Sequence, residues 1–145
     1  MNVYIDCSLD GSGGQVTWSE RRKLDPKICA LKEALRGAGV TVLDFTTKDL
    51  PFNPYDKGVE DFIQFADLIV AVSGEHHSIG ISSTVIAAMK QFHKPGMDFS
   101  LAGRAFDERY LELDVTRYSY GTFEDIVRVV RAYMEMKSSL QLQTA

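Results

Sequence analysis

An unbroken apolar run from Leu68 to Val72, followed by a glycine-bearing loop and a second apolar helix, most constrains the fold of this chain. Such a short apolar run is typical of a strand that is covered on both faces, as in a parallel sheet. The N–H groups and the dipole of a helix that starts at the carboxyl end of such a strand favour an anion. We therefore expect this loop to form the floor of a ligand pocket. Its glycines and the hydroxyl residues at the helix start are Gly74, Gly80, Ser82, Ser83 and Thr84.

Segments with strand character alternate with segments with helical character along the chain. Strands are predicted at 2–7, 40–45, 68–72, 97–100 and 111–116, and helices at 22–37, 57–66, 82–94 and 122–137. This alternation predicts a single-domain, three-layer α/β/α fold with a flavodoxin-like or Rossmann-like, five-stranded and mostly parallel sheet. In that topology the pocket lies where the first and third strands diverge.

Local signals refine the predicted helix and strand boundaries. Pro26 suits the first turn of its helix, and Thr122 with Asp125 resembles a capping box. The alternating apolar and acidic residues of 111–116 indicate a strand near a sheet edge, with one face in water. The polar segment 138–145 is predicted to be a frayed tail, so the domain is expected to span 1–137.

Composition excludes several classes of function. The net charge of −4 gives no basic patch for nucleic acid, and no apolar run approaches the ~20 residues that a membrane span needs. The N-terminal residues do not resemble a signal peptide. Cys7 and Cys29 fall in predicted buried elements and are interpreted as reduced core thiols, which indicates a cytoplasmic protein. The adjacent His76 and His77 have no third ligand at suitable spacing, so no metal is expected.

Several short motifs occur in an order that resembles one enzyme superfamily. The chain opens with V-Y-I-D-C-S-L-D-G, Ala66-Asp67 precedes L-I-V-A-V, S-I-G-I-S-S-T ends at Thr84, and His93-Lys94-Pro95 follows the helix. Together they resemble the nucleoside 2-deoxyribosyltransferase superfamily, and within it the nucleotide branch that includes the deoxynucleoside 5'-monophosphate N-glycosidases. The resemblance covers most of the chain.

The resemblance implies a set of site residues. In transferases of this superfamily a carboxylate attacks the anomeric carbon of the sugar, and here Thr84 occupies the place of that glutamate. The second acid of the superfamily falls at Val59, with Asp61 close by, and Glu75 is a candidate replacement acid. Tyr4, Glu75, Thr84 and Asp61 are thus the catalytic candidates. The substrate-binding candidates are Ser8, Gly11, Ser78, Gly80, Ser82 and Ser83.

Three functional hypotheses remain open from the sequence. The first is a hydrolase or transferase that acts on the N-glycosidic bond of a nucleoside 5'-monophosphate. The second is a nucleotide-binding protein that has lost its catalytic carboxylates, because Thr84 and Val59 stand at their places. The third is an unrelated flavodoxin-like binding module, for which the glycine-rich loop Asp10–Gln15 is suitable. The resemblance implies a small-molecule nucleotide or nucleoside partner, no cofactor, and a homo-oligomer, most simply a dimer.

Overall fold

The chain folds into a parallel five-stranded sheet with helices on both faces. The computed structural model describes residues 1–6, 18–44, 46–53, 58–73, 81, 83–100 and 108–144, without the side chains at 18–25, 27, 73 and 141–144. The elements are β1 Asn2–Asp6, α1 Trp18–Gly37, β2 Thr41–Leu43, α2 Val59–Phe65, β3 Leu68–Ser73, α3 Ser83–Phe92, β4 Gly96–Ser100, a 3₁₀ helix Glu108–Tyr110, β5 Val115–Ser119 and α4 Phe123–Thr144.

The strand order is β2-β1-β3-β4-β5, and every neighbouring pair is parallel. The predicted α/β fold and its flavodoxin-like strand order are therefore confirmed. From β1 the chain passes through α1 to β2, which lies next to β1 at one edge of the sheet. It then returns through α2 to β3, on the other side of β1, and continues through α3 to β4. The topological switch point thus lies between β1 and β3, where ligands bind in open sheets of this type.

Side chains that alternate along the strands build two apolar cores, one on each face of the sheet. On one face Val3, Val70 and Phe99 pack against Leu35 of α1 and Ile126 of α4. We call this the α1/α4 face. On the other, the α2/α3 face, the core consists of Leu43, Phe62, Ile63, Ala66, Ile69, Ala71, Ile81, Val85, Ile86, Ala88, Met89 and Tyr110.

The fourth strand was expected to be short and poorly apolar, yet all five of its residues are buried. Gly96 fits at its start because a Cβ atom there would lie 2.7 Å from Cε of Met89. Asp98, in the middle of the strand, is completely buried. Burial of a carboxylate is costly unless it is paired and hydrogen-bonded, so this residue marks a specific polar arrangement inside the α2/α3 face.

Helix α1 corrects two predictions from the sequence. It begins at Trp18, so Pro26 lies inside the helix rather than in its first turn. Cys29 is exposed, and its interpretation as a core thiol is wrong. Leu31 of α1 faces the sheet, and two residues correspond to a rotation of about 200° around a helix. Cys29 therefore points towards solvent, while Cys7 lies outside the described residues.

The fifth strand begins later than its alternating pattern predicts. The N–H groups of Leu111 and Leu113 donate to the carbonyls of Glu108 and Tyr110, so this segment forms turns that continue from the 3₁₀ helix. Leu111 is 73% exposed. The predicted strand at 111–116 is therefore wrong at 111–114, and β5 extends beyond its predicted end to Ser119, although it does lie at the sheet edge.

Helix α4 confirms the predicted start and corrects the predicted end. The carboxylate of Asp125 accepts hydrogen bonds from the N–H groups of Gly121 and Thr122, at 2.9 and 3.1 Å, which satisfies two donors at the helix start. The helix continues to Thr144, beyond its predicted end at Lys137. No described helix is long and apolar enough to cross a membrane.

Candidate functional site

Tyr4 lies in the middle of β1, on the α2/α3 face beside the switch point. Its side chain is half-buried, and its ring centroid lies 5.9 Å from that of Phe62 in α2. Phe52 packs edge-on against Phe62, with centroids 5.2 Å apart. These aromatic contacts hold α2 above β1. Tyr4 is therefore a fixed aromatic group under the expected ligand pocket.

Asp61 lies in the first turn of α2, next to Phe62 in sequence, and is half-buried. Val59 is also half-buried, and Glu60 is exposed. The contact between Phe62 and Tyr4 thus brings the helix that carries Asp61 to the strand that carries Tyr4. The catalytic roles of Asp61 and Tyr4 stay predictions.

The start of α3 lies at the carboxyl end of β3 and presents two hydroxyl residues. Ser83 and Thr84 are both exposed, and no acidic residue lies in the first turn of α3. Nη1 of Arg109 donates to Oγ of Ser83 at 3.2 Å. A guanidinium group therefore adds positive charge at a helix end that is already favourable for anions.

A buried polar network behind the start of α3 was not predicted from the sequence. The hydroxyl of Tyr110 accepts a hydrogen bond from the N–H of Ile81 at 2.8 Å and donates one to Oδ2 of Asp98 at 3.0 Å. Nε of Arg117 lies 3.8 Å from the same carboxylate oxygen. Asp98 is fully buried, and Tyr110 is 4% exposed. We call Ile81, Asp98, Tyr110 and Arg117 the Tyr110 network.

The register of the sheet explains how this network forms. Asp6, Ala71, Asp98 and Arg117 are paired across β1, β3, β4 and β5, and paired residues in a parallel sheet point to the same face. Arg117 therefore reaches Asp98 from the edge strand. Asp6 is separated from Asp98 by the small side chain of Ala71, at about two strand spacings, or roughly 10 Å between Cα atoms.

Several predicted site residues lie outside the described part of the chain. The catalytic candidate Glu75 is one of them, and so are the binding candidates Ser8, Gly11, Ser78, Gly80 and Ser82. His76 and His77 lie outside it too. Within the described residues, no group of three or more His, Cys, Asp or Glu side chains could hold a metal ion.

A separate charged cluster lies at the carboxyl end of β2. Oδ2 of Asp44 is 3.3 Å from Nζ of Lys32 and 3.0 Å from Nη2 of Arg36, both in α1, and Oδ1 accepts from the N–H of Thr46 at 2.8 Å. Burial raises the pKa of Asp44, but the hydrogen bonds from Thr46 and Arg36 and the charge of Lys32 outweigh it and lower the pKa to about 2. These contacts join β2 to α1.

An open groove of about 430 Å³ lies between α1 and α4, on the face opposite Tyr4. It is shallow and lined by residues of mixed charge, so its position and chemistry do not match the expected nucleotide pocket. Its lining residues are Ala34, Glu124, Val127, Arg128, Arg131, Ala132 and Glu135.

Comparison with known proteins agrees with the fold. No known protein-family profile matches the chain, and no curated protein sequence matches it. Among solved structures, it is similar to the CMP N-glycosidase BcmB of Clostridium botulinum, with a TM-score of 0.57 and 14% identity over 92% of this chain and 99% of that chain. It also aligns with a 2-deoxyribosyltransferase of Bacillus psychrosaccharolyticus, with a TM-score of 0.49 and 17% identity over 88% and 90% of the two chains.

At this identity the likeness to the N-glycosidase establishes a shared fold. The neighbour is described as a CMP N-glycosidase, and that activity is a property of the neighbour. The fold that the sequence predicts is therefore confirmed. Residue roles do not follow from the fold alone.

Proposed function

We propose that this protein binds a nucleoside 5'-monophosphate at the carboxyl edge of β1 and β3 and cleaves or transfers its N-glycosidic bond. The observation that carries the proposal is the start of α3, where Arg109 donates to the hydroxyl of Ser83. This arrangement lies on the same sheet face as Tyr4 and at the switch point of the fold. The fold likeness to a CMP N-glycosidase is consistent with it.

The proposed binding mode divides the ligand between two parts of the site. The phosphate lies at the start of α3, where backbone N–H groups, the Ser83 hydroxyl and the Arg109 guanidinium donate hydrogen bonds to its oxygens. The sugar lies towards β1, next to Tyr4. The hydroxyl candidates Ser8, Ser78 and Ser82, with Gly11 and Gly80, are proposed to complete the contacts.

The proposed reaction needs a carboxylate that Thr84 does not supply. In the superfamily mechanism a carboxylate forms a bond to the anomeric carbon while the C–N bond breaks, and the base leaves with a proton. The ester bond to the carboxylate then breaks: water releases the free sugar phosphate, whereas an acceptor base forms a new C–N bond and leaves as a new nucleotide. Asp61 and Glu75 are our candidates for the acidic groups, and Tyr4 is the candidate that contacts the sugar.

A second function is favoured by one observation. Thr84 is exposed in the first turn of α3, at the place of the attacking glutamate, and that turn contains no acidic residue. A threonine hydroxyl without a base is a weak nucleophile. The second candidate is therefore a nucleotide-binding protein that does not cleave its ligand.

Two experiments separate these candidates. Incubation with CMP, dCMP and the other nucleoside monophosphates, followed by chromatography for free base, tests cleavage, and loss of product in Tyr4→Phe, Asp61→Asn or Glu75→Ala would locate the chemistry. Calorimetry with the same ligands tests binding. Free base from the wild type supports the enzyme, binding without free base supports the second candidate, and absence of binding at millimolar ligand contradicts both.

The variant Thr84→Glu tests the position of the missing nucleophile. If the binding mode is right, this substitution restores a carboxylate near the anomeric carbon, and cleavage appears or increases. Thr84→Gln is the matched control, because glutamine has the shape of glutamate without its charge. Equal activity of the two variants would contradict the assignment of this position.

We also propose that the protein is a homodimer, as the resemblance implies, and that it is cytoplasmic, as the interpretation of its two cysteines as reduced thiols indicates. Light scattering coupled to gel filtration measures the mass of the particle, and the chain has a mass of 16.2 kDa. A particle of that mass at micromolar concentration would contradict the dimer.

A further inference from the structure

The Tyr110 network connects three parts of the chain at the back of the proposed nucleotide site. Asp98 belongs to β4, Tyr110 to the 3₁₀ helix, and Ile81 lies two residues before α3. The Tyr110 hydroxyl is both a hydrogen-bond acceptor and a donor, because its oxygen accepts from the N–H of Ile81 and its O–H donates to Asp98. The backbone that leads into α3 is thus hydrogen-bonded, through one side chain, to the middle of the sheet.

Burial makes this connection costly to break. Ile81 and Asp98 are completely buried, and Tyr110 is 4% exposed, so water does not replace the two hydrogen bonds when they break. An unsatisfied buried N–H or carboxylate is costly. Arg117, whose side chain is 23% exposed, approaches the same carboxylate from β5, with its Nε 3.8 Å from Oδ2 of Asp98.

The neighbouring residue contacts the same helix start from outside. Arg109 precedes Tyr110 in the 3₁₀ helix and donates to Ser83, while Tyr110 is bound to Ile81 on the buried side. Two consecutive residues of one short helix therefore contact the start of α3, Arg109 through the side chain of Ser83 and Tyr110 through the backbone N–H of Ile81. The connection between β4 and β5 sets where the guanidinium of Arg109 and the first N–H groups of α3 stand relative to each other.

We propose that Tyr110 is a positioning residue for phosphate recognition, and that it acts through its hydrogen bonds to Asp98 and to the Ile81 amide. It does not contact the ligand. This inference rests on the proposed function, since it assumes that the phosphate binds at the start of α3. Its consequence is that the preference for a nucleotide over the matching nucleoside depends on a hydroxyl group buried beneath the site.

The variant Tyr110→Phe removes the hydroxyl and keeps the ring. Tyr118→Phe is the matched control, because Tyr118 stacks on Phe99, at 5.2 Å between centroids, on the opposite face of the sheet. The first measurement is amide hydrogen exchange by NMR. We expect the Ile81 amide to exchange about tenfold faster or more in Tyr110→Phe, with the amide of Val70 in β3 within about twofold of the wild type. Unchanged exchange at Ile81, or equal acceleration at Val70, would overturn the proposal.

The second measurement is the ratio of dissociation constants for cytidine and for CMP, by calorimetry. The loss of one hydrogen bond that orients the phosphate site should reduce this ratio about fivefold in Tyr110→Phe, with Tyr118→Phe unchanged. A role in overall stability alone would leave the ratio at its wild-type value, and that result would overturn the proposal. If the wild type itself does not prefer CMP, the proposed function fails, while the exchange at Ile81 still decides whether Tyr110 holds this turn.

Discussion

The substitution Asp44→Asn should destabilise the protein in a way that depends on pH. Asp44 follows β2, and its carboxylate contacts Lys32 and Arg36 of α1 and the N–H of Thr46. Asparagine keeps one oxygen for the Thr46 N–H, but it places an NH₂ group or a neutral oxygen opposite the two cations. The substitution therefore removes the charge and preserves most of the shape.

The magnitude follows from the pKa of the carboxyl group. Burial raises the pKa of Asp44, but the contacts with Thr46, Arg36 and Lys32 lower it by more. The net result is a pKa that falls from 3.8 to about 2. A shift of this size corresponds to about 2.4 kcal/mol in favour of the charged form in the folded state. Solvent screening of the partly exposed cations reduces it, so we expect Asp44→Asn to lower the free energy of unfolding by about 1–2 kcal/mol at pH 7.

The sign of the pH dependence follows from linkage. Because the folded-state pKa lies below the unfolded value, the stabilisation is complete above about pH 4 to 5 and is lost as the pH falls through 3.8 towards 2. The difference between wild type and Asp44→Asn should therefore be constant from pH 5 to 7 and should shrink towards pH 2.

Urea unfolding followed by circular dichroism measures this difference at each pH. Asp114→Asn is the control, because Asp114 is exposed and precedes β5, and we expect a change within about 0.5 kcal/mol. Equal stability of Asp44→Asn and the wild type at pH 7 would refute the reasoning. So would a difference that grows as the pH falls.

Two further substitutions test the packing and the site. Gly96→Ala places a Cβ atom 2.7 Å from Cε of Met89 and 3.3 Å from Cγ2 of Val115. The buried end of Met89 must then move, which should lower the free energy of unfolding by about 1 kcal/mol. Gly37→Ala meets no atom within 4 Å and should not lower it; urea unfolding measures both variants, and equal effects would contradict the packing argument. Arg109→Gln should weaken CMP binding about tenfold by calorimetry and leave cytidine binding unchanged; Arg131→Gln, on α4, should change neither, and an equal loss for CMP and cytidine would contradict a phosphate contact.

The topology was predictable because it depends on patterns that short segments carry by themselves. The run at 68–72 is buried on both faces, and the alternation of strands and helices leaves few arrangements of a parallel sheet. Boundaries were less predictable where tertiary or local contacts override the pattern. Residues 111–114 alternate like a strand, but the turn hydrogen bonds of Leu111 and Leu113 take up their N–H groups.

The end of α4 was missed for a different reason. The segment from Ser138 was predicted to be frayed because it is polar, but it contains no glycine or proline that would stop a helix. Polarity alone indicates an exposed helix face as readily as a tail. Helix α4 accordingly continues to Thr144, and Leu140 is exposed on it.

The candidate site was predictable only where motifs are local. The hydroxyl residues at the start of α3 stand together in the sequence, and both described members, Ser83 and Thr84, are exposed there. The Tyr110 network has no such signature, because its side chains come from β4, the 3₁₀ helix and β5, and its fourth member is the backbone N–H of Ile81. The single signal in the sequence is Asp98 itself, an acid in the middle of a predicted strand. It indicates only that this strand is less apolar than the others.

Stability alone does not account for an acid at position 98. A buried ion pair is often no more stabilising than well-packed apolar residues of similar volume, and Asp98 sits in β4 between Met97 and Phe99, which complete the core on the other face. What the carboxylate adds is direction, since it orients the Tyr110 hydroxyl, whose oxygen then fixes the Ile81 N–H. An apolar residue at position 98 would keep the sheet and release the start of α3. The cost of burying Asp98 is thus explained by the geometry that it imposes on the turn where we place the phosphate.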